Sequence, residues 1–169
     1  VESLAATQGR LFVSVLDNVQ GEILAFRHAD QQWSEPVRIE MPPNGTVSIS
    51  DADYRGSTVS FSFHDLITPP TLYWSDDDGE TLAPIKSLPA RFDSSKYMAE
   101  QFEVTSKDGT RSPYFVARPK DHTGPVPALL YAYGGFQSSM LPWYSGLRGQ
   151  LWLEQGNAWI LANIRGGGE

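Results

Sequence analysis

Residues 57–65, "STVSFSFHD", set an apolar residue at alternate positions with small polar residues between them. Side chains alternate across a strand with a period of two, so this pattern buries one face and wets the other. A helix could not segregate the same residues. Related runs surround it. "RLFVSVLD" (10–17) and "GEILAFRH" (21–28) are apolar-rich and joined by the polar turn "NVQ"; "TVSISD" (46–51) alternates; "PPTLYWSDDDGETL" (69–82) holds a short strand ahead of an Asp-Gly turn. Short strands at this spacing predict a sandwich, barrel or propeller. No clean internal repeat chooses among the three.

The texture changes after about residue 80. "YMAEQFEVTS" (97–106) and "RSPYFVARP" (111–119) flank "KDG", a hairpin turn in which Asp-Gly accepts positive φ. "PALLYAY" (127–133) is a continuous apolar run, expected of a strand covered on both faces. In "YSGLRGQLWLEQG" (144–156), Trp143, Leu147 and Leu151 recur at helical spacing and Gly156 stands ready to stop a helix. "NAWILANI" (157–164) is a second buried strand. Strand, loop, helix, strand is the order of an α/β layer. The chain therefore reads as β-rich over residues 1–80 and α/β over 81–169.

Charge and composition exclude several functions. A formal charge of −7 disfavours nucleic acid and anionic membranes as partners, because phosphates would be repelled. No apolar run approaches the roughly 20 residues that span a bilayer. "VESLAATQGR" lacks the basic region and apolar stretch of an export signal, and the absence of cysteine is compatible with a cytoplasmic location. His28, His64 and His122 lack metal-ligand spacing, and "SDDDGE" (75–80) fails as a calcium loop because Trp74 falls at the first ligand position. No metal or cofactor is expected. The chain has no G-x-S-x-G elbow, and Ser145 reads as a surface residue or helix cap.

"YAYGGFQ" (131–137) carries more chemistry. A strand ends at Tyr133, and Gly134-Gly135 let the backbone turn and approach another group closely. The Tyr133 hydroxyl is a donor that can hold an oxyanion, and Phe136 offers a flat apolar face. On the residues alone, a core tyrosine, a glycine turn and a core phenylalanine are the better account of the stretch. The glycines of "RGGGE" (165–169) read as a tight structural turn, since no phosphate-loop frame surrounds them.

"PALLYAYGGF" followed by "ANIRGGGE" resembles the prolyl oligopeptidase family of serine peptidases. "TPPTLY" (68–73), "PARFD" (89–93), "TSKDGTRSPYF" (105–115) and "WLEQGNAWILANIRGGGE" (152–169) agree in order, and the resemblance runs from about residue 57 to the end. The related oligopeptidase B branch has Ser-Tyr in place of Gly-Phe and His-Val before the glycines, so "YGGF" and "ANIRGGGE" point to the proline-specific branch. The resemblance implies the last blades of a seven-bladed β-propeller, then the first strands of an α/β-hydrolase domain. It implies cleavage of short peptides after proline by a Ser-Asp-His triad. It assigns the Tyr133 hydroxyl to the oxyanion and Phe136 to the proline-binding S1 pocket, and leaves Asn163, Arg165 and the glycines as framework and substrate-side loop with no chemical step. The family's triad would follow residue 169, so the chain is expected to be a fragment, inactive alone, whose partner is the rest of the same polypeptide. Two other readings remain: a non-catalytic β-rich interaction module with a degenerate hydrolase tail, and a different esterase or peptidase of the same superfamily.

Overall fold

Asn18 and Val19 both adopt positive φ, 47° and 56°. That is the backbone of a two-residue hairpin turn, and it lets Asp17 pair directly with Gln20. Such a φ is costly for a β-branched residue; burial of Val19, 3% exposed, offsets it. The turn joins β2 (Leu11–Asp17) to β3 (Gln20–Phe26). With β1 (Ser3–Ala6) and β6 (Val37–Ile39) they form an antiparallel sheet in the order β1-β2-β3-β6, and β4 (His28–Ala29) and β5 (Gln32–Trp33) make a small ribbon beside it in sequence. The computed structural model describes residues 1–167.

A second sheet follows, in the order β10-β9-β8-β7, from β7 (Thr46–Ala52), β8 (Val59–His64), β9 (Thr71–Ser75) and β10 (Ala83–Ser87). The alternation in β8 now has its meaning: Val59, Phe61 and Phe63 point into a core shared with Phe12, Ile23, Ala25, Ile39 and Val47 of the other strands. Phe12 and Phe61 meet edge to face, with ring centroids 5.6 Å apart. Each fully buried phenylalanine contributes about 1.5–3 kcal/mol. This first compact unit comprises Val1–Phe63 and Pro70–Leu88. It therefore includes β10, which lies beyond the change of texture near residue 80.

His64–Pro69 and the chain from Pro89 onward form the second unit. The Asp-Gly hairpin is there, with β11 (Tyr97–Thr105) and β12 (Arg111–Pro119) in register from Tyr97↔Pro119 to Thr105↔Arg111. β14 (Ala158–Ala162) adds antiparallel to β12, and β13 (Ala128–Ala132) lies parallel to β14, so the order is β11-β12-β14-β13. The crossover between β13 and β14 carries helix α1 (Gly146–Leu151). Phe115 and Ala117 of β12 sit opposite Leu161 and Trp159 of β14, all four buried on one face.

Among the described residues β13 is the outer strand of this sheet, with Leu129, Leu130 and Tyr131 42%, 61% and 42% exposed. The sheet face opposite Phe115 is open as well, with an apolar hollow of about 270 Å³ lined by Val104, Tyr114, Leu130, Ile160 and Ile164 among others. The helix is shorter than the expected 144–156 and turned differently. It spans six residues, then tightens to a 3₁₀ turn at Leu153–Gln155, which Gly156 ends with φ 82°. Leu147 and Leu151 face outward, while Gly149 and Leu153 are buried. Ser145 caps the helix, its hydroxyl accepting from Arg148 N–H. No helix among the described residues is long and apolar enough to cross a membrane.

Candidate functional site

β13 and β14 run parallel, so the segments that leave their carboxyl ends emerge side by side. Tyr133 is the first residue past β13 and Asn163 the first past β14. Two glycine-rich stretches distant in sequence thereby become neighbours. They are interlocked at the backbone. A Cβ on Gly134 would lie 2.6 Å from the Arg165 carbonyl oxygen and 3.0 Å from Ile164 Cγ1. Gly166, at φ 90°, would drive a Cβ into the Gly134 carbonyl oxygen. The Gln137 N–H donates to the Gly166 carbonyl at 3.2 Å and closes the junction. Gly168 and Glu169 of the "RGGGE" stretch lie outside the described residues.

Tyr133 is 40% exposed, and its ring leans back over Gly135: a Cβ there would sit 2.8 Å from the tyrosine Oη. Gly135 thus gives the hydroxyl its room. Phe136 is 93% exposed. Phe136 and Gln137 both hold positive φ, 56° and 53°, a conformation that costs non-glycine residues about 1–2 kcal/mol each. A bare phenyl ring on strained backbone, next to an exposed phenol, is an arrangement that packing alone does not require. Tyr133 and Phe136 therefore share one loop, and both are exposed among the described residues.

The surroundings are ordered by residues whose part sequence reasoning did not identify. Asn163 is buried and hydrogen-bonds both backbone groups of Met140. Its one signal in the sequence is a polar side chain ending an apolar run. Arg165 pairs with Asp108 at the β11–β12 turn, 2.7 Å apart, with both side chains more than half exposed. The Asp108 carboxyl is held below its ordinary pKa, first by the Thr110 backbone N–H and then by Arg165. Arg148 lies over both Trp143 and Trp159, which meet edge to face, its guanidinium carbon 4.8 and 4.2 Å from the ring centroids. Burial lowers its pKa, and the Tyr131 phenol opposes that shift.

The His28 ring lies 4.9 Å from that of Trp33, tilted by 53°, in the first unit, and His64 ends β8 with its pKa lowered by burial, against the opposing effect of Asp65. In the "SDDDGE" turn the Asp77 carboxylate accepts from Thr81 N–H and Oγ1 and from Ser75 Oγ, so its oxygens are used within the turn. Among the described residues no three His, Asp or Glu side chains converge as a metal ion would need.

Known proteins share both the sequence and the fold. Residues 1–87 match the family model described as the prolyl oligopeptidase N-terminal β-propeller domain. An uncharacterized peptidase of Sinorhizobium fredii is 42% identical over 171 aligned residues, which cover all of this chain and 23% of the peptidase. A prolyl endopeptidase of Elizabethkingia miricola is 35% identical over 78% of this chain and 19% of its own length. The solved structure of a post-proline cleaving enzyme from Rickettsia typhi superposes with a TM-score of 0.79 at 34% identity, over 98% of this chain and 24% of that one. The chain thus spans about a quarter of the length of the relatives it matches. With the family model covering just over half of the chain and the structural match nearly all of it, the protein belongs to the prolyl oligopeptidase family.

Proposed function

We propose that this chain is part of a serine endopeptidase that hydrolyses short peptides on the carboxyl side of proline. Tyr133 donates its hydroxyl to the oxyanion, Phe136 forms a wall of the S1 pocket, and a Ser-Asp-His triad is supplied by the rest of the same polypeptide. A serine hydroxyl attacks the carbonyl carbon of the proline residue while a histidine takes its proton; the tetrahedral oxyanion is then held by the Tyr133 O–H and a backbone N–H. The flat Phe136 ring faces the flat pyrrolidine. Residues 1 to about 80 are the last blades of a seven-bladed propeller, and the remainder begins an α/β-hydrolase domain. The stacked four-stranded sheets support the first assignment, and the parallel β13–α1–β14 crossover supports the second. The absence of cysteine suits a cytoplasmic peptidase.

One observation carries the reading: a phenol and an almost fully exposed phenyl ring share a strained loop at the carboxyl end of a parallel strand. Strained backbone gathers at working sites, and such strand ends are where α/β proteins place function. The test uses the full-length protein and a Gly-Pro arylamide substrate. Tyr133→Phe removes one oxyanion donor and is expected to lower kcat about 10²–10³-fold. Undiminished hydrolysis by the folded variant refutes the role of Tyr133, and no hydrolysis of any Gly-Pro arylamide by the wild type refutes the activity.

A further inference from the structure

Asn163 is 3% exposed. Its backbone N–H donates to the Pro113 carbonyl at 3.0 Å, extending the ladder one residue past β14 and fixing where its side chain can reach. The side-chain Oδ1 accepts from the Met140 N–H at 2.7 Å, and Nδ2 donates to the Met140 carbonyl at 3.1 Å. One planar amide thus satisfies both backbone groups of a residue on another loop, as a neighbouring strand would. Few side chains can substitute. Alanine offers neither bond, and an ionised aspartate accepts from the N–H but turns an oxygen toward the Met140 carbonyl.

Met140 lies midway along the irregular stretch between β13 and α1, residues 133–145, which also bears Phe136. Two further backbone bonds tie that stretch: Ser138 N–H to the Gly135 carbonyl and Gln137 N–H to the Gly166 carbonyl, both 3.2 Å. Between them sit the two left-handed residues, Phe136 and Gln137. A strained conformation persists only where its surroundings over-determine it, and the side chain of Asn163 adds two bonds, at 2.7 and 3.1 Å, from a strand end distant in sequence.

We propose that Asn163 is a positioning residue for substrate recognition: through Met140 it holds the Phe136 loop in the shape that receives proline. It sets the preference at the scissile bond without touching the substrate. This rests on the reading of Phe136 as a wall of the S1 pocket.

The experiment compares kcat/KM for Gly-Pro and Gly-Ala arylamides in the full-length protein. In Asn163→Ala the proline-over-alanine ratio is expected to fall by about ten- to a hundredfold, the scale of loss when a positioning group shifts by about 1 Å. The change falls mainly on KM for the proline substrate. Asn163→Asp behaves alike at neutral pH but regains part of the ratio in acid, because a neutral carboxyl both accepts and donates. Asn163→Ala regains nothing, and taking a ratio cancels activity lost for both substrates. An unchanged ratio in folded Asn163→Ala overturns the proposal. Should neither variant fold, hydrogen exchange in the wild type decides: the Met140 amide must be protected like those of β14, and rapid exchange overturns the clamp. Phe136→Ala separates the two readings. If the ratio survives that change, the pocket-wall reading falls and this inference with it; if the ratio falls there but holds in Asn163→Ala, only the role of Asn163 falls.

Discussion

Gly149→Ala would ordinarily stabilise a helix, by about 0.8–1 kcal/mol of propensity. Here it is expected to do the reverse. Gly149 is the buried residue of α1, and a Cβ at that position would overlap the Phe92 ring, 2.5 Å from Cγ and closer to Cδ1 and Cε1. Non-bonded carbons rest at about 3.5–4.0 Å, so the ring would have to move by an ångström or more. It has little freedom to do so. Phe92 is 6% exposed, stacked on Tyr144 at 5.7 Å and edge-on to Tyr97 at 5.9 Å, and the Tyr144 hydroxyl accepts from the Arg91 backbone N–H. Overpacking a fitted core costs about 1–3 kcal/mol, and complete loss of a buried phenylalanine sets a ceiling of about 3–5 kcal/mol. Subtracting the propensity gain leaves a net destabilisation of up to about 2 kcal/mol. Denaturant unfolding of Gly149→Ala, Phe92→Ala and the double variant provides the assay. With the ring removed, Gly149→Ala should become neutral or stabilising by up to about 1 kcal/mol, because only the propensity remains. A penalty of the same size in both backgrounds would refute the steric argument, as would a stabilised single variant.

Asp77 and Glu80 supply two more tests. The Asp77 carboxyl is lowered from 3.8 to about 2, chiefly by the Thr81 backbone N–H and then by the Ser75 and Thr81 hydroxyls. A depressed folded value means the contribution is complete above about pH 4 and is lost as the pH falls toward 2. Asp77→Asn should therefore unfold with a shallower acid limb than the wild type in that window, and superimposable limbs would contradict the assignment. Glu80 ion-pairs with both Arg10 and Arg27, whose side chains are 6% and 61% exposed. Glu80→Ala leaves the buried Arg10 guanidinium without its acceptor and should cost about 1–3 kcal/mol in urea unfolding, whereas Arg27→Ala should cost no more than about 1 kcal/mol. Equal losses would show that burial of Arg10 carries no penalty.

What could be read from the sequence was local. The period-two run in β8 and the Asp-Gly turn between β11 and β12 state their structure within a few residues. β10 does not: Ala83–Ser87 holds Pro84 and Lys86, and all five residues are exposed. It is a strand only because β9 lies beside it, with a register shift between Pro84 and Lys86. The apolar run of β13 marks a strand, but apolar content does not give its neighbour in the sheet, which is the parallel β14, some thirty residues on. Helical spacing likewise points Leu147 and Leu151 inward, while the contact that decides the helix face is Gly149 against Phe92, more than fifty residues apart in sequence. The same limit applies at the candidate site. Tyr133 and Phe136 stand out by residue type beside two glycines. The bond from Asn163 to Met140 and the fit of Gly134 to Gly166 exist only after β13 and β14 have paired.

That fit bears on how the two glycine stretches can change over generations. Every amino acid other than glycine brings a Cβ, so any missense change at Gly134 meets the Arg165 carbonyl oxygen, and any at Gly166 meets that of Gly134. Backbone atoms cannot be traded for smaller ones, so no second substitution in the facing stretch can make the space. Compensation would have to come from moving one strand end relative to the other, which the continuous β13–β14 ladder resists. The pair therefore has no path of single tolerated steps away from its present state. In a library of random variants of the full-length protein, survivors should keep both glycines together or lose the local structure altogether.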